Sequence, residues 1–389
     1  MLRGNYHGDS VRYLMGLARD FIKSPRRVVK ELFGIHDFPN EVIREHYLHV
    51  IKLVEKGEAS KAVAYITKHS EEAVVNADFA TLSILSRALE RLEEYGLASK
   101  YFLENRKLTR PIKKEWDGTP NHHGTLFVEY KYRTIGLPLR HARVIQLASK
   151  HVGNCIATAE PRLVPVFQRS FPEVEFLSAE SNNKEIKSLC DFETTYTDLL
   201  HYYANSKDLI RNSFTPLIPD RQKVQRLAKK YKSRNLPLIG IAWGSSNRLK
   251  STPSILDWLN ILSEVRAKFV ILQYGEVNKV VSRLRKSNLD VIYDEKIDQF
   301  SSMDDFCAQL GTLDFVISTS STIAHFAGAM EIPQIVLLHD GLFQPWPFQG
   351  NEIAWYPKAH LIRKNGRKWS KVVDEAKEAL TSNINSAEI

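Results

Sequence analysis

Between residues 10 and 110 apolar positions recur at helical spacing and proline is scarce, so this stretch predicts helices throughout. Beyond residue 110 the pattern changes to short apolar runs separated by helical patterns. The runs predict strands at 124–130, 154–159, 174–178, 237–243, 268–273, 290–293, 314–318, 333–338 and 360–363. Strands alternating with helices argue for parallel sheets joined by crossover helices. The run FTPLIPD at 214–220 carries two prolines and no periodicity, and reads as a linker. The expected organisation is a helical domain over 1–110, one α/β domain over 111–219, a second over 220–365, and a C-terminal helix and tail over 366–389, the helix running from Lys368 to Leu380.

Within the helical region a pair of segments shares a phase. HYLHVIKLVEKGEASKAVAYI and SILSRALERLEEYGLASKYFL place Ala62 and Ala98 in equivalent positions, 36 residues apart. That offset is close to the ~34-residue period of tetratricopeptide repeats, in which a small residue lets paired helices approach. A non-repetitive bundle of helical hairpins fits the same pattern.

Composition narrows the class. The 389 residues suit two or three domains. With 43% hydrophobic and 25% charged residues, wholesale disorder, collagen and coiled coil are excluded. No apolar run approaches the ~18 residues of a spanning helix. Arg12 and Arg19 interrupt the N-terminal apolar stretch, which argues against a secretory signal. Cys155, Cys190 and Cys307 are odd in number and far apart, which suits a reducing compartment and gives no metal-ligand spacing. The expectation is a cytoplasmic protein.

The net charge of +9 suits a phosphorylated small molecule, an anionic lipid surface or a nucleic acid. The densest basic stretch, Arg221 to Arg234, carries Val224, Leu227, Ala228 and Tyr231 at helical spacing and so reads first as the solvated face of a packed helix. Together with Lys23, Arg26, Arg27 and Lys30 it could also hold the protein at the inner face of an anionic membrane. Aromatic residues do not alternate with these charges and no nucleic-acid signature is present, so no nucleic-acid partner is expected.

Two strand–helix junctions carry candidate chemistry. In PLIGIAWGSSNRLKSTP the strand is followed by Gly244, Ser245 and Ser246, with Lys250 just before a helix start. The glycine permits close backbone approach, the serines donate hydroxyls and the lysine adds a mobile charge, which makes a phosphate cradle; a plain turn with a solvent lysine fits too. In LDFVISTSSTIAHFAGAM five hydroxyl residues, Ser318 to Thr322, stand between strand and helix, where capping needs one. His325 follows in the first helical turn, whose positive end disfavours the imidazolium. Gln273, Tyr274 and Glu276 follow a third strand end; Glu276 could reach a ribose or simply stand on the surface. In open parallel sheets ligands bind beyond such strand ends. The two junctions together point to a nucleoside diphosphate site with no metal and no further cofactor. His122 and His123 are loop histidines or acid–base groups.

These residues carry a resemblance. STSSTIAHFAGAMEIPQIVLL is similar to the segment that ends the donor half of glycosyltransferase family 9, the ADP-heptose:lipopolysaccharide heptosyltransferases, and GIAWGSSNRLK resembles that family's phosphate loop. DQFSSMDDFCAQLGTLDFVIS looks like its helix-then-strand lead-in, and EWDGTP and EIAWYPKAHLIRK look like the boundaries of fusions to tetratricopeptide repeats. The likeness covers about 111–380. It implies a GT-B architecture: two Rossmann-like domains facing across a cleft, acceptor in the first and nucleotide sugar in the second, here preceded by an all-α domain. It also implies inverting, metal-independent transfer to a glycan, lipid-linked or protein acceptor, in cell-envelope polysaccharide synthesis. Donor contacts then fall to Gly244, Ser245, Ser246, Lys250, Gln273, Tyr274, Glu276, Ser320, Ser321, Thr322 and His325.

Two departures stand out. The family's Gly-x-Gly-Asp loop, whose Asp is the base, aligns with Thr134, Ile135, Gly136 and Leu137, and its Asp-Thr before the helix becomes Ser320-Ser321. Glu129, Asp117 and His123 (or His122) are then the candidate bases. The rival reading is a catalytically silent transferase-like scaffold whose N-terminal helices dock a protein partner.

Overall fold

The structure, a computed structural model, describes residues 41–109, 114–132, 134–212, 215–231, 236–245, 250–275, 277–341 and 344–387. The expectations that fall on the N-terminal basic residues, Ser246 and Glu276 lie outside them.

Four helices come first: Glu41–Glu55 (α1), Ala59–Val75 (α2), Phe79–Arg91 (α3) and Tyr95–Thr109 (α4). The same turn joins each pair. Gly57, Ala77 and Glu93 sit in the left-handed region, with φ of 75°, 51° and 59°. Around each, one amide reaches back three residues and the next reaches back five (Gly57 to Val54 at 2.9 Å, Glu58 to Leu53 at 2.9 Å), which satisfies the last free carbonyls of the helix. Only the first turn uses glycine, so glycine does not mark these helix ends in the sequence. Ile43, Tyr47, Val50, Ile66, Leu82, Leu85 and Leu89 form the buried seam, with Ala62 and Ala98 fully enclosed where helices approach.

A four-stranded parallel sheet follows, made of Asn121–Glu129 (β1), Val152–Ala159 (β2), Glu175–Ser178 (β3) and Phe192–Thr195 (β4), in the order β3-β2-β1-β4. The second sheet, also parallel, holds Leu238–Ala242 (β5), Lys268–Ile271 (β6), Val291–Ile292 (β7), Phe315–Thr319 (β8), Gln334–Leu338 (β9) and Ala359–Arg363 (β10), in the order β10-β9-β8-β5-β6-β7. All nine expected strands form. The sequence pattern does not reveal β4, and the reason is its place: it lies at the sheet edge, between β1 and a single bridge from Glu115 to Glu193, and buries only Thr194, so FETT has no apolar run to show.

Both sheets reverse strand order beside their first strand, between β1 and β4 and between β5 and β8. Such reversals open a crevice at the carboxyl ends of the strands. The two units form the expected GT-B arrangement. Helix Gly136–His141 (α5), after β1, packs against helix Thr322–Ala329 (α9), after β8, so the two crevices meet. Buried Arg143 ties the units further, donating to Thr215 O (3.1 Å) and Trp355 O (3.2 Å). Asp304, in helix Met303–Leu310, accepts from Arg169 of the first unit and from Lys223 (2.6 Å). Lys223 belongs to the basic helix Arg221–Tyr231, whose Lys230 also pairs with Asp294 (2.6 Å). Two of its lysines therefore serve the fold's own ion pairs. The last helix, Trp369–Ala387, buries Val372, Val373, Ala376 and Leu380 under the second sheet.

The helical front touches both units. From α4, Arg106 bonds Asp198 (3.0 Å) and Phe102 stacks on His201 (3.8 Å between centroids). From α3, Arg91 donates to Trp346 O (3.0 Å) and lies 3.8 Å above the Phe348 ring.

Candidate active site

A cavity of about 770 Å³ lies where the two crevices meet. One wall contains Ser245 and Lys250 after β5, and Ser320, Ser321, Thr322 and His325 after β8. The two junctions singled out in the sequence thus open onto one space. The parallel register of β5 and β8 (Ala242 beside Ser318) sets their loops side by side. Thr319 Oγ1 donates to Gly244 O (3.2 Å), and Lys250 Nζ donates to Ser320 O (2.9 Å). Gly244 N in turn donates to Gln273 Oε1 (2.7 Å). Gln273 is therefore a support of the turn and not a lining residue; Tyr274 beside it does line the cavity.

The hydroxyl run divides its labour. Thr319 and Ser320 hold the loops, Ser320 Oγ accepting from Trp346 Nε1 at 2.7 Å. Ser318 Oγ and Ser321 Oγ are buried without a partner among the described residues. Ser321 is the N-cap of α9 yet makes no side-chain capping bond, so its hydroxyl and the first amides of that helix remain available. An unpaired buried hydroxyl is costly, and a ligand oxygen would satisfy it.

His325 is buried, bonded through Nδ1 to Tyr356 OH (2.9 Å) and stacked on Trp346 (5.0 Å, 9°). Burial, helped by the Arg140 and Lys250 charges, holds it neutral, well below the usual imidazole range. The place of His325 at the helix end predicts the same neutral state, but the dominant cause is burial. Burial likewise lowers the Lys250 ammonium from its ordinary value. Such a cation gains from meeting an anion.

The facing wall is α5 and the loop before it. Gly136 is needed there: a Cβ would stand 2.7 Å from His325 Cδ2. Leu137, at the position of the family's Asp, lines the cavity without chemistry. Arg140, 5% exposed, donates to Pro345 O (3.3 Å) and to His141 Nε2 (3.1 Å), and its Nε has no partner among the described residues. Since Arg140 must donate, His141 carries its proton on Nδ1, toward Tyr132 OH, which also meets Thr197 Oγ1 (3.2 Å). The third wall is α3, with Arg87, Glu90 and Arg91. Among the described residues, five lysine and arginine side chains line the cavity against one carboxylate, a balance that suits an anion.

The candidate bases are not brought to this space. His122 and His123 stand exposed at the start of β1, about 20 Å along the strand from its cleft end. Asp117 lies before β1, its carboxylate accepting from Thr119 N (2.9 Å). Glu129 is at the correct end of β1 but outside the lining. Burial would raise its carboxyl, yet hydrogen bonds from Lys187 (3.0 Å) and Lys131 (3.1 Å) outweigh this and hold it below its usual range. The residues that sequence reasoning missed are Glu90, Arg140, His141, Trp346 and Tyr356. Each lies on an ordinary helix or loop, and only the folding of distant segments gathers them. Among the described residues no group of three or more His, Cys, Asp or Glu side chains is placed to hold a metal ion, no helix is long and apolar enough to cross a membrane, and the three cysteines are unpaired and buried.

No protein-family model matches the chain. Protein FlbA of Caulobacter vibrioides is 26% identical over 225 residues, which are 52% of this chain and 37% of FlbA, so the chain matches little more than a third of that relative's length. Among solved structures, the glycosyl transferase family 9 structure from Veillonella parvula superposes with a TM-score of 0.51 at 12% identity, covering 67% of this chain and 98% of its own. The ADP-heptose LPS heptosyltransferase II of E. coli gives 0.47 at 10% identity, covering 67% and 99%. The first likeness establishes the shared fold.

Proposed function

We propose that this chain transfers a glycosyl group from a nucleotide sugar to a hydroxyl of a glycan, lipid-linked or protein acceptor, by a single inverting displacement and without a resident metal ion. One observation carries the reading: Lys250, the unpartnered Ser321 hydroxyl, the open amino end of α9 and neutral His325 share one cavity at the strand-order reversal of the second sheet. In such a transfer the acceptor oxygen attacks the anomeric carbon while the bond to the diphosphate breaks. Negative charge grows on the leaving group, and donors fixed in place beforehand stabilise it. Lys250 and Arg140 supply charge, Ser321 and the helix amides supply N–H and O–H groups, and with Tyr356 donating to Nδ1 the neutral His325 ring presents Nε2–H. These side-chain cations take the role a bound divalent ion would otherwise play. The opposite wall, from Thr134 to Leu137, receives the acceptor.

The test is calorimetry and thermal shift with ADP, GDP, UDP, CMP and their sugars, with magnesium and with EDTA, followed by mass spectrometry of the best donor's products. One nucleotide should stabilise the chain equally in EDTA, and its sugar should be released or transferred with inverted configuration. Stabilisation by none of them refutes the reading, and stabilisation that needs the metal refutes its metal-free aspect.

A further inference from the structure

Transfer needs a group to take the acceptor's proton, and the position expected to supply it is Leu137. Among the described residues lining the cavity, one carboxylate is present, and it comes from neither sheet unit but from α3. We propose that Glu90 is the general base, contributed to the cleft by the N-terminal helices. This assignment rests on the transfer reading.

The placement follows from helix periodicity. Leu82, Leu85 and Leu89 turn into the helical core, while Arg87, Glu90 and Arg91 fall one turn apart on an adjoining face, and all three of these line the cavity. Glu90 retains 27% of its side-chain exposure. Its Oε1 lies 3.7 Å from His201 Nε2, a buried nitrogen with no hydrogen-bond partner among the described residues. That imidazole is fixed by Ser99 Oγ on Nδ1 (3.2 Å) and by stacking on Phe102. The groups facing the carboxylate are Arg87 on its own helix, Tyr95 on α4, Tyr132 and Arg140 across the cavity, and His201. Burial raises the Glu90 carboxyl above its usual range although Arg140 and Arg87 pull it down. A carboxylate shifted in that direction is the stronger base near neutral pH.

The step balances without a co-reactant. The acceptor hydroxyl gives its proton to the Glu90 carboxylate as its oxygen forms the new bond to the anomeric carbon. The bond from that carbon to the diphosphate oxygen breaks, and its electron pair leaves with the diphosphate toward Lys250 and Arg140. Glu90 then returns the proton to water. The helical front is on this account a component of the catalytic unit.

The experiment compares the full chain with Glu90→Gln, Glu90→Ala and Glu90→Asp, using the donor that the nucleotide panel selects. Glu90→Gln should keep the nucleotide dissociation constant within about twofold while turnover falls about 10²- to 10⁴-fold. The wild-type pH–rate profile should rise through a limb above the ordinary carboxylate range, and Glu90→Gln should lack it. Azide should restore turnover to Glu90→Ala as the inverted glycosyl azide, because it attacks without a proton to lose. Turnover within about threefold of wild type in Glu90→Gln, or an unchanged limb, overturns the assignment. If Glu90→Gln does not fold, Glu90→Asp decides: it should keep the limb at lower turnover, and a profile without it overturns the assignment. Wild-type chain that binds a nucleotide but turns over no sugar overturns the transfer reading and this assignment together, a result distinct from a wild-type rate that survives Glu90→Gln.

Discussion

Taking the protein from about pH 7.5 to about pH 5.5 should weaken it through His141, His201 and His325. They are 5%, 3% and 5% exposed, and each is held neutral in the fold. Burial is the main cause in all three; Arg140 adds to it at His141 and at His325, and His201 is brought down to about 3. The unfolded chain offers the same imidazoles to water near their ordinary value of 6.5. Below that pH the unfolded state binds protons that the folded state refuses, so stability falls as pH falls. One unit below 6.5 each group costs about 1.4 kcal/mol, and the three together about 4 kcal/mol. That is a large share of the roughly 5–15 kcal/mol that holds a typical domain. Glu90 works the other way: its raised carboxyl lets the folded state bind a proton more readily than the unfolded state, which opposes the loss. The depressed carboxyls of Asp294 and Asp304 do not enter, because they give up their contribution only near and below the ordinary value of 3.8. Urea midpoints at both pH values, for wild type, His201→Asn and His325→Asn, test the account. Each variant should lose about 1.4 kcal/mol of the wild-type acid sensitivity. Variants whose pH dependence matches wild type would refute the reasoning, whatever the wild type does.

Lys250→Ala should weaken nucleoside diphosphate binding by about 10- to 100-fold, the worth of a charge-assisted phosphate contact, while the free protein's melting point stays level or rises because a desolvated cation is gone; calorimetry and thermal scans read the two effects. Gly136→Ala should cost about 1–3 kcal/mol by driving a methyl into the His325 ring, and turnover should fall with it; denaturant melts and donor turnover would show an intact enzyme if that contact were slack. Ser321→Ala should remove an unpartnered buried hydroxyl, leaving the melting point unchanged or higher while turnover falls about tenfold or more; kinetics alongside a melt separates these.

The fold was legible because its signals are local. Each buried strand of the second sheet is an apolar run of its own, and the hydroxyl-rich turns after β5 and β8 stand out beside such runs. Strand β4 was hidden by its edge position, and two of the three helical turns by the use of Ala77 and Glu93 where glycine is expected. The cavity wall after β5 and β8 could be read for the same reason: it is two contiguous segments. The facing walls could not. Their charged groups come from α3 and α5, where Glu90 and Arg140 look like any surface residues of an amphipathic helix, and nothing local tells that a cavity lies against them. The candidate bases at 117, 123 and 129 belong to the first sheet unit, whereas the carboxylate that lines the cavity among the described residues belongs to α3.

Clefts between paired nucleotide-binding units commonly open and shut by rotation about a hinge. Here the front helices clasp both jaws: Arg106 grips Asp198 on one and Arg91 grips Trp346 on the other. Any wide gape would have to tear one of these grips or shear α3 along α4. The mouth of the cavity is therefore braced on both sides, and its width is set by how far that clasp yields.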